Sequence, residues 1–309
     1  MPAVDKPIIG LALGSGSARG WSHIGVIRAL AEAGVEPDIV CGTSIGALVG
    51  AAYASGELER LEAWVRELTL PKVASYFDFS LGGGVIKGAK LIEFFRGHIQ
   101  DQEITTLPLR FAAVATDLAS GREVWLREGK VLDAVRASIA LPALFTPARR
   151  DGRWLVDGGL VNPVPVSLCR AMGAETVIAV DLNADIIGRH LRRRRSPAAS
   201  EKAQAPKGRA DQLRKRVQDR FANLQLPWSW REAGDSPPAL FDTIATSLNI
   251  MQVHIGRSRL AGEPPDLLIT PHLAHLQLLE FHRAAEAIDE GRKAAQAMLP
   301  TLRGAGLAV

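Results

Sequence analysis

Residues 38–53 read DIVCGTSIGALVGAAY: a short apolar β stretch that breaks at Gly42-Thr43-Ser44-Ile45-Gly46 and resumes as a helix of small residues. A strand that turns this sharply into a helix brings its flanking chains almost into contact, and Gly42 and Gly46 leave room for that approach. The turn lifts the Ser44 hydroxyl out of the sheet and sets it at a helix N-terminus, where unpaired N–H groups and the helix dipole favour negative charge. This pattern is that of a nucleophile elbow. Ordinary strand-to-helix turns share the same composition, so the chemistry depends on what else meets Ser44.

Upstream, residues 7–13 form an apolar run without helical spacing and read as a first buried strand. Gly14-Ser15-Gly16-Ser17-Ala18-Arg19-Gly20 then opens a helix through Trp21, Ile24, Ile27 and Leu30, with Gly34 at its C-cap. Residues 37–41 form the second strand. A glycine-rich loop after a strand invites a dinucleotide reading, which wants G-x-G-x-x-G and an acid at the end of the second strand. Here position 19 is Arg and the second strand ends in Gly42-Thr43-Ser44, so that reading fails twice. What remains is a run of backbone N–H groups at a helix N-terminus beside a serine, the arrangement an oxyanion hole requires. A third segment, residues 154–165, places Asp157 directly after an apolar run and before Gly158 and Gly159. Asp157 is a candidate base, and Asp-Gly is equally a hairpin signal.

In order and spacing, the loop with Ala18-Arg19-Gly20 and His23-Ile24-Gly25, the elbow around Ser44 and the triplet Asp157-Gly158-Gly159 resemble the bacterial patatin-like phospholipases. Residues 115–121 and 136–147 resemble blocks that lie between elbow and aspartate in that family, and the wording of residues 10–23 looks closest to its RssA-type subgroup. The resemblance implies a three-layer α/β fold, a mainly parallel central sheet with helices on both faces. It also implies a Ser44–Asp157 dyad without a catalytic histidine, acting as nucleophile and proton acceptor. The position of Ser44 after only two strands agrees, since an α/β-hydrolase nucleophile follows several. On this reading an ester of a phospholipid or lysophospholipid is cleaved through an acyl-enzyme. The oxyanion is held by N–H groups of Gly16 and Ser17, with Ala18 or Ile45 as further donors. Gly14, Arg19, Gly20, Gly42, Gly46, Gly158 and Gly159 support the site, Arg19 by shaping the loop through backbone carbonyls or by meeting a lipid phosphate. No metal or organic cofactor is required. Family members often carry three glycines where this chain has Ser15-Gly16-Ser17, which narrows the loop. An acyltransferase with a histidine base, and a non-catalytic regulatory protein on the same fold, are the rival readings.

The 309 residues, 47% hydrophobic, suffice for one large α/β domain. Cys41 and Cys169 lie in apolar segments and read as buried small hydrophobes, which fits a reducing compartment. The N-terminal residues lack a signal pattern and no apolar run reaches the ~18 residues of a spanning helix, so a cytoplasmic protein is expected. The net charge of +4 hides an asymmetry: residues 189–220 hold twelve Lys or Arg against three acids, a balance of +9, so the rest sums to −5. The organisation expected is a core over 7–183, a basic Pro/Ala-rich insert over 184–238 and C-terminal elements over 239–300 completing the same domain. Leu213, Val217, Phe221 and Leu224 fall at helical spacing inside the insert, near Trp228 and Trp230. A basic amphipathic helix of this kind suits an anionic membrane surface through residues 189–232, or packs on the domain; no nucleic-acid recognition motif accompanies the charge. Beyond it, helices are expected over 240–261 and 278–299 and a strand over 266–270. His23 reads as a helix-packing or loop-bracing residue. His254, His272, His275 and His282 read as surface or satisfied, with no metal spacing.

Overall fold

The computed structural model describes residues 6–76, 101–142, 144–186 and 240–308. Residues 6–186 and 250–308 belong to one compact unit; residues 240–249, a stretch of helix, belong to a second. The insert expected over 184–238, its amphipathic segment and both tryptophans lie outside the described residues, apart from 184–186.

The strands are β1 (Ile9–Leu13), β2 (Ile39–Thr43), β3 (Arg110–Asp117), β4 (Glu123–Leu126), β5 (Ala148–Arg150), β6 (Arg153–Asp157), β7 (Thr176–Val180) and β8 (Leu267–Ile269). The helices are α1 (Ser22–Glu32), α2 (Ile45–Ala54), α3 (Leu58–Arg66), α4 (Leu70–Tyr76), α5 (Val131–Ser138), α6 (Val166–Ala171), α7 (Leu240–Gly262) and α8 (Ala284–Gly304). The eight strands among the described residues form one sheet in the order β5-β6-β3-β2-β1-β7-β8, with β4 paired to β3. From β3 to β8 every pairing is parallel, and β4, β5 and β6 are antiparallel additions at the β3 end. β1, β2 and β7 are apolar on both sides because both faces are covered, as parallel sheets require. Ile9, Leu11, Val40, Phe111 and Ile178 pack beneath α1, α2 and α8; Ala12, Ile39, Cys41, Val114 and Val177 pack beneath α6 and Leu260 of α7. Both cysteines are buried free thiols.

Helices α1 and α8 cross with their backbones in contact. A Cβ on Gly25 would lie 1.9 Å from the Ile288 carbonyl oxygen, and one on Gly291 would lie 1.9 Å from that of Ser22. The first helix starts with a 3-10 turn, Ser17–Trp21, and Gly34 ends it at φ 73°, the left-handed conformation expected at its C-terminus. One sequence expectation is corrected: the helix read over 278–299 begins at Ala284 after a 3-10 turn, Phe281–Arg283. The Leu278 carbonyl is instead drawn to the glycine-rich loop, where it accepts from the Ala18 N–H at 3.0 Å and the Ser17 hydroxyl at 2.5 Å.

Candidate active site

The sheet register brings Ser44 and Asp157 together. Ala113 and Val114 of β3 pair with both β2 and β4, while Ala115 and Thr116 pair with both β4 and β6. A strand has only two edges, so β2 and β6 share the edge opposite β4, meeting end to end between Val114 and Ala115. Thr43, the last residue of β2, lies opposite Val114, and Asp157, the last residue of β6, lies opposite Ala115. Ser44 follows Thr43 and so arrives beside Asp157.

The geometry at that junction is tight. Ser44 takes φ 57° and ψ −123°, a conformation costly for a residue with a side chain and typical of a nucleophile elbow. A Cβ on Gly42 would fall 2.4 Å from the Ala47 backbone, and one on Gly46 would fall 2.2 Å from the Leu13 carbonyl oxygen. The approach of Gly46 presses the elbow against the end of β1, where the glycine-rich loop begins. The Ser44 hydroxyl donates to Asp157 Oδ2 at 2.6 Å, and the Gly159 N–H donates to Asp157 Oδ1 at 2.7 Å. Asp157 is 1% exposed. Burial raises its pKa to about 6 against the opposing hydrogen bonds from Ser44 and Gly159. The Asp-Gly hairpin alternative is not realised here: Asp157 leads into a 3-10 turn, Gly158–Leu160, and the hairpin turn falls at Asp151-Gly152, both at positive φ.

A brace not read from the sequence holds the elbow. The Ser44 N–H donates at 2.8 Å to Ser138 Oγ, at the end of α5, and the Ser138 hydroxyl donates at 2.6 Å to the Val114 carbonyl. Ser138 thereby ties the elbow to the strand residue at which β2 ends. Its block, residues 136–147, was visible as a motif, and the hydroxyl's target was not.

The glycine-rich loop is fastened from several sides. His23 Nε2 lies 2.8 Å from the Gly14 carbonyl, which only accepts, so that nitrogen carries the proton; burial holds the pKa of His23 down at about 4, leaving the ring neutral. His23 therefore braces the loop, as one of its two sequence readings had it. Arg19 Nε donates to the Gly16 carbonyl at 3.2 Å, and Asn183 Nδ2 donates to the Ser15 carbonyl at 3.1 Å. Arg19 is 3% exposed and has the Asp185 and Asp181 carboxylates near it, so a solvent-side lipid phosphate is out of its reach. Ser17 itself adopts φ 53° and anchors its hydroxyl on Leu278, so its side chain becomes a fastening point for the loop. The Ala18 N–H donates to the Leu278 carbonyl, which removes it from the expected oxyanion donors. The Gly16, Ser17 and Ile45 N–H groups have no acceptor among the described residues. Gly14 and Gly20 sit against Val180 and Ile45, and Gly158 against the Val114 carbonyl, each too close for a Cβ. Gln252 of α7 was not anticipated: Ser15 Oγ approaches its Oε1 at 3.4 Å, and its Nε2 would meet a Cβ on Gly159 at 2.6 Å.

Among the described residues no group of three or more His, Cys, Asp or Glu is arranged to hold a metal ion. None of the described helices is long and apolar enough to cross a membrane.

Comparison with known proteins decides the family. The family model for patatin-like phospholipase matches residues 11–170, from β1 through Ser44 and Asp157 into α6. The chain belongs to the patatin-like phospholipase family. An uncharacterised NTE family protein of Mycobacterium tuberculosis is 35% identical over 326 aligned positions, covering 93% of this chain and 90% of the relative. Human patatin-like phospholipase domain-containing protein 6 is 37% identical over 182 positions, 56% of this chain and 13% of its own length. A protein of Coccidioides immitis named lysophospholipase NTE1 is 28% identical over 313 positions, 96% of this chain and 18% of its own. Among solved structures, VipD from Legionella pneumophila is similar with a TM-score of 0.46 and 14% identity, over 95% of this chain and 66% of that one. The fold is the patatin-like α/β fold, with a mixed, mostly parallel sheet between helices.

Proposed function

We propose that this patatin-like protein is a lipid acyl hydrolase that cleaves carboxylic esters through a Ser44–Asp157 dyad and an acyl-enzyme. The observation that carries this reading is the 2.6 Å hydrogen bond from the Ser44 hydroxyl to Asp157 Oδ2 on a strained, glycine-flanked elbow. Asp157 takes the hydroxyl proton as Ser44 Oγ bonds to the ester carbonyl carbon. The carbonyl π pair moves onto oxygen, and the free N–H groups of Gly16, Ser17 and Ile45 are the donors available to it. Collapse of the tetrahedral species breaks the bond to the leaving alkoxide, which takes the proton from Asp157. A water molecule, deprotonated by Asp157, then attacks the acyl carbon; as the bond to Ser44 Oγ breaks, that oxygen takes the proton back from Asp157 and the carboxylic acid is released. A carboxyl whose pKa is raised to about 6 is a stronger base than an ordinary aspartate and is still ionised at neutral pH.

The substrate class we assign is a phospholipid or lysophospholipid, supported by the family and by the name of the Coccidioides relative. Within the family, the wording of residues 10–23 supports the RssA-type subgroup. We take 184–238 as a basic insert in a single domain built from 7–183 and 239–300, and residues 189–232 as a segment that meets an anionic membrane at the cytoplasmic face. The acyltransferase alternative needs a histidine on the nucleophile; His23 is engaged with Gly14 instead. Turnover of a short-chain p-nitrophenyl ester and of a lysophospholipid tests the proposal. Ser44→Ala and Asp157→Asn are each expected to fold and to lose at least ~1,000-fold in kcat; a Ser44→Ala variant as active as the parent rejects it.

A further inference from the structure

The antiparallel part of the sheet has one face in the core; the other keeps Val114, Thr116 and Val156 buried but is exposed at its outer positions, and those have an unusual composition. Trp154 pairs with Arg149, and the next same-side residue along β6, Val156, pairs with Thr116. Thr116 pairs in turn with Glu123 of β4, and Trp125 is the next same-side residue along that strand. Directly paired residues project to the same face and alternate residues along a strand share it, so Trp125, Trp154 and Arg149 stand on one face. The opposite face sends Leu126, Leu155 and Ala148 to the core. Leu118, whose N–H donates to the Trp154 carbonyl, adjoins the group. Trp125 is 39% exposed, Trp154 51% and Leu118 54%. Each tryptophan carries a guanidinium over its ring: Arg127 at 5.8 Å from the Trp125 centroid and Arg149 at 5.7 Å from that of Trp154.

The charged side chains on this face are Arg127, Arg149 and one acid, Glu123, which is ion-paired to Arg259 of α7. The exposed part of the face is therefore apolar and net positive, and it lies near the dyad: Trp154 precedes Asp157 by three strand positions, about 10 Å. Paired tryptophan and arginine side chains match the boundary between acyl chains and anionic headgroups, where the ring is half-desolvated and the guanidinium meets phosphate. Two other occupants are disfavoured by charge. The chain's own segment 189–220 carries a balance of +9, and a second copy would present the same positive face.

We propose that this face, formed by Leu118, Trp125 and Trp154 with Arg127 and Arg149, is a docking surface for anionic phospholipid bilayers. It seats the protein with the dyad close to its lipid substrate. The inference rests on the acyl-hydrolase reading for its purpose, though its test does not. Full-length protein carrying Ser44→Ala, which cannot hydrolyse the probe, is sedimented with vesicles of phosphatidylcholine with or without phosphatidylglycerol. Binding is expected to require phosphatidylglycerol and to weaken with salt. Trp125→Ala with Trp154→Ala is expected to lower the partition coefficient about tenfold, given ~25 cal/mol per Å² of lost apolar contact, and Arg127→Glu with Arg149→Glu to remove most of the phosphatidylglycerol dependence. In the background with Ser44 intact, both double variants should turn over a soluble ester at the parent rate, which shows that they fold. Loss of that turnover in the parent itself would count against the hydrolase reading and leave the vesicle result standing. Partition within twofold of the parent for both double variants overturns the surface, as does a dimer in the parent that the tryptophan substitutions dissociate.

Discussion

At the scale of single residues, the site is a case of side chains made useful by the groups that hold them. Ser44 accepts a disfavoured backbone conformation only because its N–H has somewhere to go. That partner is Ser138 Oγ, itself donating to Val114. Ser138→Ala takes from the Ser44 N–H and the Val114 carbonyl the hydroxyl that each bonds, a cost of about 1–3 kcal/mol, and frees the elbow to relax away from Asp157. The expected result is a kcat on soluble ester lowered about tenfold or more with KM little changed, a loss of transition-state geometry alone. A KM effect with unchanged kcat would assign Ser138 to substrate binding. Ser44 and Asp157 themselves were legible from the sequence because each sits where an apolar run meets glycines, a pattern with a local physical cause. Ser138 was not, since a serine closing an amphipathic helix looks the same whether its hydroxyl faces water or a neighbouring strand. The engagement of the Ala18 N–H was hidden for a related reason. That N–H is taken by the backbone carbonyl of Leu278, an acceptor every residue carries and no side chain advertises.

At the scale of elements, helices α1 and α8 form a clamp that sets the glycine-rich loop. The 3-10 turn from Ser17 leads directly into α1, and α1 lies against α8 through Gly25 and Gly291. A side chain at either position must push the helices apart, and no flexible atom is there to yield. Gly291→Ala is therefore expected to lower stability by about 2 kcal/mol or more despite the better helix propensity of alanine. Gly304→Ala, at the end of the same helix with nothing within 4 Å of its Cβ position, is expected to be neutral or slightly stabilising. Urea midpoints measure both, and equal shifts would remove the clamp from the account. The extents of β1, α7 and β8 followed from apolar runs and their spacing. The start of α8 did not, because residues 278–280 have helical composition but Leu278 is bound to the glycine-rich loop, a tertiary demand that overrides propensity.

At the scale of the whole molecule, what produces the site is a register. Two strands approach head to head along one edge of β3, and the junction at Val114 and Ala115 puts residues 113 positions apart within 2.6 Å. No local pattern encodes that meeting; resemblance to a family supplied the pairing of Ser44 with Asp157, and the physical cause is the shared edge. The same antiparallel extension that delivers Asp157 also displays the tryptophan–arginine face, so proposed base and proposed membrane contact ride on one strand, β6. The central claim is that Asp157, buried and raised to a pKa of about 6, activates Ser44 without a histidine. It is tested most directly by the rate of fluorophosphonate labelling as a function of pH, with the adduct located by mass spectrometry. Because the base works ionised, labelling of Ser44 should rise with pH through about 6 and then level off, and Asp157→Asn should label slowly with no such rise. Labelling of Asp157→Asn at the wild-type rate, or an adduct on any residue other than Ser44, would contradict it.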